Sequence, residues 1–401
     1  MFSRIISYQN IEAAYLEIIE QFAADRRNFR YHGLDNIFLH DLDLKSQAII
    51  KIIQTDLQKI KEIEPALAVQ IPKKNKPEQY REIFIYNLKE RIKAQAIYRV
   101  ILPIFENNFS DRLFSYRPGK PPYLAAQSFC RRYRREFSKD QALIIDLKNY
   151  SDRINRTLMF QQLQKIISDQ KVLALLRLFI FNKVYRQGKY TDPAQGLVQG
   201  VPLIALLANL YLTDLDFKYQ TKSAFYVRVG DDLAFLDPAL DKLQKILATL
   251  ANDLTARGLE LNQQKLFLGA ARDQYSFLGY NFKAGLISLE PVFIKRTIAD
   301  WQRILTYKNA PPDAKLNLLS RIMSKPENNF NRQFQKIVKD KSQINNSAQI
   351  KKISENFFAI LTKFIYKHYS PRNRRLLEEK LKNIKIMSLY SIYKKFHYDR
   401  N

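Results

Sequence analysis

Two adjacent carboxylates, Asp231 and Asp232, sit inside the run Phe225-Tyr-Val-Arg-Val-Gly-Asp-Asp-Leu-Ala-Phe-Leu236. The flanks are apolar apart from Arg228, which predicts two short buried strands, and Gly230 with the two acids supplies the tight turn between them. Like charges this close resist joint ionisation, and a divalent cation removes that cost. Taken alone, an Asp-Asp pair in a loop is more often a solvent-facing turn than a site. A third acid shifts the balance. Ala142-Leu-Ile-Ile-Asp-Leu147 reads as a buried strand ending in Asp146, with Asp152 in the turn before a helix that starts near Thr157. Between the acid-bearing strands lie a glycine-punctuated loop, Gln195–Pro202, and a strongly apolar helix, Leu203–Asp216. Two-metal nucleotidyl transfer requires this kind of arrangement, because hard cations about 4 Å apart need several carboxylate oxygens on rigid strand ends. One metal would lower the pKa of an attacking 3′-hydroxyl and the other would hold a triphosphate, with basic residues neutralising the charge around them.

The elements that must position these acids can be read in order. Residues 10–62 carry a helical apolar stripe (Ile11, Ala14, Tyr15, Ile18, Ile19, Phe22, then Ala48–Ile60), broken by an irregular connection over Asn28–Asp41. Ala66–Ile71 and Tyr80–Tyr86 read as strands around Pro72-Lys-Lys-Asn-Lys-Pro-Glu-Gln79, a ribbon with a cationic tip. That tip is either a solvated turn or a grip on phosphates by Lys73, Lys74, Lys76 and Arg81. A helix is predicted over Asn87–Phe105 and a Pro-Gly turn at Ser115–Gly119. A second helix, 123–137, ends in Arg131, Arg132, Arg134 and Arg135, and helices then run to about Lys183. Residues 238–257 form an amphipathic helix, 258–265 a turn with a short strand and a polar tip, and Tyr275–Phe282 a strand or hairpin. Beyond about Pro291 strand signals stop, and the tail is helical, basic and aromatic.

Composition bounds the partners. The 401 residues hold 66 Lys+Arg against 39 Asp+Glu, a formal net charge of +27. Such a surplus points to a polyanion, nucleic acid first and an anionic membrane second. A single cysteine, Cys130, excludes an intramolecular disulfide and a Cys-rich zinc site. The longest apolar stretch, Leu197–Leu212, is broken by Gln199, Gly200, Pro202 and Asn209, so no bilayer span and no membrane partner is expected. The expected location is cytoplasmic.

Several motifs, in order, resemble those of reverse transcriptases of the bacterial and group II intron type, over roughly residues 33–282. Gly33-Leu-Asp-Asn-Ile37 is similar to the G-x-D-G-[VI] of the N-terminal extension. Ile71-Pro-Lys-Lys-Asn-Lys76, Tyr80–Ile83 and Glu90-Arg-Ile92 resemble the fingers segments, and Phe105-Glu106 with Phe114-Ser-Tyr-Arg-Pro-Gly119 the F-E…S-Y-G-F-R-P-G element. Asp146–Asp152 resembles D-x-x-x-F-F-D, and Gly196–Gly200 with Leu206–Leu212 the G-x-P-Q-G…L-L-A-N-I-Y-L loop and helix. Arg228–Asp232 stands for R-Y-A-D-D, Leu261–Lys265 for L-N-P-E-K, and Phe277–Tyr280 for the F-L-G-F primer grip.

The resemblance implies an α+β right-hand polymerase. It would comprise a helical N-terminal extension (1–65), fingers (66–137), a palm with a ferredoxin-like antiparallel sheet (138–285) and a helical basic thumb (286–401). It implies RNA-directed DNA synthesis from dNTPs on an RNA template with a DNA or RNA primer and two Mg²⁺ or Mn²⁺ ions. The alternative is a maturase-like or scaffold RNA-binding protein on the same fold. The carried-over roles are metal ligation by Asp146, Asp231 and Asp232, and proton donation near the leaving phosphates by Lys265. Lys73, Lys74, Arg81, Tyr150, Ser151, Gln199 and Gly200 would bind nucleotide. Arg91, Arg117, Arg228, Leu278, Gly279, Lys295 and Arg296 would contact nucleic acid. The chain departs from the family at Ser151, where a bulky ring normally excludes a ribose 2′-hydroxyl, which implies relaxed sugar selection or a gate moved to Tyr150. It departs also at Val198 (usually Pro), Ile204-Ala205 (usually Ser-Pro) and Val229-Gly230 (usually aromatic-Ala). Without a Cys/His nuclease cluster after the thumb, a complete self-mobilising intron protein is not expected.

Overall fold

A computed structural model of the chain describes residues 1–24, 34, 46–73, 76–304, 311, 312, 315 and 343–383. Lys74 and four residues of the N-terminal motif (Gly33, Asp35, Asn36 and Ile37) lie outside these, as do most of the Asn28–Asp41 connection and much of the tail. The described chain divides into two compact units, residues 1–125 with 142–268, and residues 126–141 with 269–401. No described helix is long and apolar enough to cross a membrane.

The first unit begins with three helices, α1 (Phe2–Ile5), α2 (Tyr8–Ala24) and α3 (Ser46–Gln58). The apolar stripe of α2 faces inward, with Ile11, Ala14, Tyr15 and Ile18 buried. The ribbon follows as β1 (Ala66–Lys73) and β2 (Lys76–Ile85), then α4 (Leu88–Glu106), α5 (Pro122–Glu136) and β3 (Gln141–Asp146). Helices α6 (Tyr150–Arg153), α7 (Arg156–Gln164) and α8 (Gln170–Ile180) lead to a short hairpin, β4 (Val184–Arg186) and β5 (Lys189–Thr191). Its turn places Gln187 at φ 49° and Gly188 at φ 82°, the left-handed pair that a two-residue hairpin needs. β4 pairs parallel with β1, so a four-stranded sheet runs β2-β1-β4-β5.

The apolar helix expected over Leu203–Asp216 is broken into α9 (Pro202–Tyr211) and α10 (Thr213–Tyr219). At the break, the Asn209 carbonyl accepts from Thr213 Oγ1 (3.1 Å) and from Arg228 Nη2 (3.0 Å), a long-range demand invisible in the local sequence. The expected acid-bearing hairpin forms as β6 (Phe225–Val229) and β7 (Asp232–Asp237), in register from Phe225↔Leu236 to Val229↔Asp232. The amphipathic helix α11 (Leu240–Thr255) covers it through Leu243, Ile246, Leu250 and Leu254. With β8 (Phe267–Ala270) the second sheet runs β6-β7-β3-β8, which brings the hairpin beside the strand ending in Asp146.

The second unit holds an antiparallel meander of β9 (Tyr275–Phe277), β10 (Tyr280–Lys283) and β11 (Leu286–Leu289). The C-terminal part of α5 packs on it: the Phe129 ring lies 4.9 Å from Phe277 and 5.0 Å from Phe282, and Tyr133 accepts from Gly285 N (3.0 Å). The remaining described helices are α12 (Pro291–Ile304), α13 (Ser347–Tyr366) and α14 (Pro371–Asn383). Asn345 and Gln349 tie the start of α13 to β11 by accepting from Ile287 N (2.6 Å) and Leu289 N (2.7 Å).

Candidate active site

Asp146 ends β3, and the next residue, Leu147, donates its N–H to the Asp231 carbonyl at 3.2 Å. The backbone thereby sets the first acid beside the pair. Asp146 is 9% exposed. The turn after α11 holds its carboxylate: Asn262 Nδ2 donates to Oδ1 at 2.8 Å and Lys265 Nζ to Oδ2 at 2.5 Å. Asn262 N also donates to the Asp146 carbonyl (2.9 Å), which fixes the turn to the strand end. Burial pushes the Asp231 carboxyl above its usual range, and the charge of Asp146 pushes it further, against a lowering backbone hydrogen bond. For Lys265, burial works to lower the pKa, but the bond and charge of Asp146 outweigh it and hold the ammonium above its usual value. Lys265 is thus a counter-cation to the acids.

A buried frame supports the hairpin. Arg228 is 0% exposed, and its guanidinium donates to Asp216 Oδ1 (2.7 Å) and Oδ2 (2.5 Å), to Asn209 O and to Gly230 O. Burial would lower its pKa, yet Asp216 beside it raises it above the ordinary arginine range. Ser115 Oγ accepts from Gly230 N (2.9 Å) and donates to Asn209 Oδ1 (3.0 Å), while Asn209 Nδ2 donates to Ser115 O (2.6 Å). Arg117, with its side chain 4% exposed, forks onto Glu106 and donates to the carbonyls of Ser110 and Leu113. Arg117 and Arg228 were both expected to contact nucleic acid. The structure places both guanidinium groups inside the protein instead: Arg228 braces the turn carrying Asp231 through Gly230 O, and Arg117 ties the Ser110 and Leu113 carbonyls to Glu106.

The Gly196–Gly200 loop is fixed from three sides. Gly196 N and Leu197 N donate to the carbonyls of Ile154 and Ser151, both at 2.8 Å. Arg156 Nε donates to Gly196 O (2.6 Å), and Tyr86 Oη to Val198 O (2.7 Å). Gly200, at φ +128°, passes so close to β2 that a Cβ would lie 2.6 Å from Phe84 O. Gly200→Ala is expected to cost about 1–3 kcal/mol and to displace Gln199. Gly188→Ala, with positive φ but open space, should cost less. Equal denaturation midpoints for the two variants would contradict this.

Gln199 and Gly200 line a cleft of about 740 Å³ together with Arg91, Ser151, Asp231 and Asp232. Burial holds the Arg91 guanidinium down at about 10. Tyr150 also borders the cleft, but its hydroxyl donates to Ala208 O (2.5 Å) and is pushed up by burial. Ser151 is left as the small side chain at that position. Arg81 lies exposed on β2, and Lys73 ends β1. Leu278 and Gly279 form the β9–β10 turn (φ 50° and 77°), and Lys295 and Arg296 are exposed on α12; these four belong to the second unit. The supporting residues Asn209, Asp216, Arg156 and Tyr86 were not anticipated as site residues. An acid such as Asp216 at the end of an otherwise apolar helix was the available signal.

The donor set suits a hard divalent cation: three carboxylates at the end of β3, in the β6–β7 turn and at the start of β7, with Asp231 pushed above its usual range by desolvation and by the charge of Asp146. Among the described residues, no three His, Cys, Asp or Glu side chains already close on one point. Asp146 is engaged by Lys265 and Asn262 instead.

Residues 71–282 match the family described as reverse transcriptase (RNA-dependent DNA polymerase), which is more than half of the chain. The chain belongs to the reverse transcriptase family. The α+β architecture is that of its right-hand polymerase fold. Protein YkfC of Escherichia coli K12 is 27% identical over 158 residues, 38% of this chain and 40% of YkfC. The group II intron-encoded protein LtrA of Lactococcus lactis is 27% identical over 181 residues, 45% of this chain and 29% of LtrA. These matches therefore span less than half of either relative. Among solved structures, telomerase from Candida albicans aligns over 84% of this chain and 65% of its own, with TM-score 0.45 and 14% identity.

Proposed function

We propose that this reverse transcriptase extends a primer from dNTPs on an RNA template. The observation that supports this most is the juxtaposition of Asp146 and Asp231 through a backbone hydrogen bond, with Lys265 against them and the Gln199–Gly200 loop across the same cleft. Asp146, Asp231 and Asp232 would hold two Mg²⁺ or Mn²⁺ ions. When bound, the metals supply charge neutralisation and activation of the 3′-hydroxyl. Asn262 keeps the Asp146 carboxylate oriented. Lys265, freed from Asp146, has an ammonium proton to offer near the leaving phosphates. Arg81 with Lys73 and Lys74 would cover the triphosphate, and Arg91 would contact nucleic acid from the cleft wall. Residues 286–401 would act as the thumb through basic positions such as Lys295 and Arg296.

Primer extension on an RNA template with Mg²⁺ tests this reading. Wild type should extend, and Asp231→Ala Asp232→Ala should not. Equal signal from both proteins, or none from wild type with either metal, would remove it. Salt-dependent binding of primer–template without extension would instead support the RNA-binding scaffold reading.

Ser151 carries a second expectation. A hydroxymethyl group leaves room beside the sugar and can hydrogen-bond a 2′-hydroxyl. Wild type should therefore accept rNTPs more readily than Ser151→Phe, compared as ratios of dNTP to rNTP kcat/KM. Identical ratios would place the sugar gate elsewhere.

A further inference from the structure

We propose that Tyr116 is a stacking platform for the nucleobase at the primer's growing end. This deepens the polymerase reading and rests on it. Tyr116 lines the same cleft as Asp231, Asp232 and Gln199, and the residue is 66% exposed. Its backbone lies at φ +51°, in the left-handed region that a bulky residue rarely occupies. Strain of that kind persists only where the surroundings over-determine the chain. Both neighbours do so here. Ser115 is buried in its exchange with Asn209 and Gly230, and Arg117 is locked onto Glu106, Ser110 and Leu113. The conformation of residue 116 is thus imposed from both sides, and glycine would adopt it without strain.

A tyrosine there gains little from burial, since most of its side chain remains exposed. Its backbone is fixed on the cleft wall, and the ring stands largely in solvent there. That backbone is tied to the acid-bearing turn, because Ser115 accepts from Gly230 N, immediately before Asp231. A 3′-hydroxyl brought to those carboxylates carries its base on the adjoining sugar, within the same cleft. The cleft that Tyr116 lines also offers apolar surface, with Pro122, Ala205 and Val229 among its lining residues. The carboxylates disfavour a phosphate beside the ring, whereas any base offers a π-face to it whatever its sequence.

The test uses the full chain with Tyr116→Gly, Tyr116→Phe and Tyr116→Trp and a primer–template carrying 2-aminopurine at the primer 3′ end. Three readouts apply: 2-aminopurine quenching on binding, primer–template affinity, and thermal midpoint. Wild type, Phe and Trp should quench the probe. The Gly variant should not, and should bind about 5- to 100-fold more weakly while melting no lower than wild type. Affinity and quenching unchanged in Tyr116→Gly would overturn the proposal, as would a wild type that leaves the probe unquenched. The two readings fail separately. Tyr116-dependent quenching without extension sustains the contact and removes the polymerase, whereas normal extension and affinity in Tyr116→Gly does the reverse.

Discussion

Asp231→Asn is expected to reduce primer extension by ~10³-fold or more, and at the same time to make the metal-free protein more heat-resistant. The first effect follows because an amide is a poor ligand for a hard cation and carries no charge to balance it. The second follows from the electrostatics of the empty acid cluster. Burial and the neighbouring Asp146 charge both disfavour ionised Asp231 in the folded state, and only part of that is offset by a backbone hydrogen bond and Lys265. Asparagine keeps the shape and removes the charge. A gain on the order of 1 kcal/mol would appear as a rise of about 1 °C in melting temperature for a chain of this size. Added Mg²⁺ should raise the midpoint of wild type and leave the variant nearly unchanged, since a ligand stabilises only the state that binds it. Unchanged midpoints in metal-free buffer, together with retained extension, would show that Asp231 is neither strained nor a ligand.

Arg228→Leu is expected to cost about 3–5 kcal/mol, the loss typical when one partner of a buried ion pair is removed and the other charge stays behind. Asp216 is fully buried and would keep only the Tyr226 hydroxyl (2.6 Å) from its present side-chain donors. Changing Asp216 to Leu in the same chain should recover part of the loss, because it removes the stranded charge. Urea denaturation of the two single variants and the double variant measures the coupling. Arg228→Leu also separates the structural role from a nucleic-acid contact. Loss of a phosphate contact would lower the salt-dependence slope of binding by about one unit, whereas loss of an internal brace leaves the slope of the folded fraction unchanged.

The acid-bearing strands were legible because each is short, apolar and closed by a carboxylate at a turn, a pattern with few alternative solutions. The ribbon at Ala66–Ile85 and the helices 88–106 and 240–255 were legible through ordinary periodicity. Arg228 was not. Its motif suggested nucleic acid, but its partner Asp216 lies on a separate helix, and only the folded chain reveals that the two meet. The break at Leu212 has the same origin, because Arg228 claims the Asn209 carbonyl there. Strands β4 and β5, at three residues each, are too short for alternation to register, and Gly188 at their turn was the local sign the sequence offered. Tyr116 was read as part of a Pro-Gly turn, since nothing in its neighbours' identities announces that both are clamped.

The hydrogen bonds that build the acid cluster join distant parts of the chain: 94 residues separate Ser115 from Asn209, 115 separate Ser115 from Gly230, and 116 and 119 separate Asp146 from Asn262 and Lys265. Closing loops of that size is entropically costly and slow, so these contacts should form late in folding. During synthesis, Asp146 leaves the ribosome long before the lysine that neutralises it. A chain stalled short of residue 262 carries three acids and neither of the side chains that restrain Asp146. The order of synthesis thus leaves the acid cluster among the last parts of this unit to be completed.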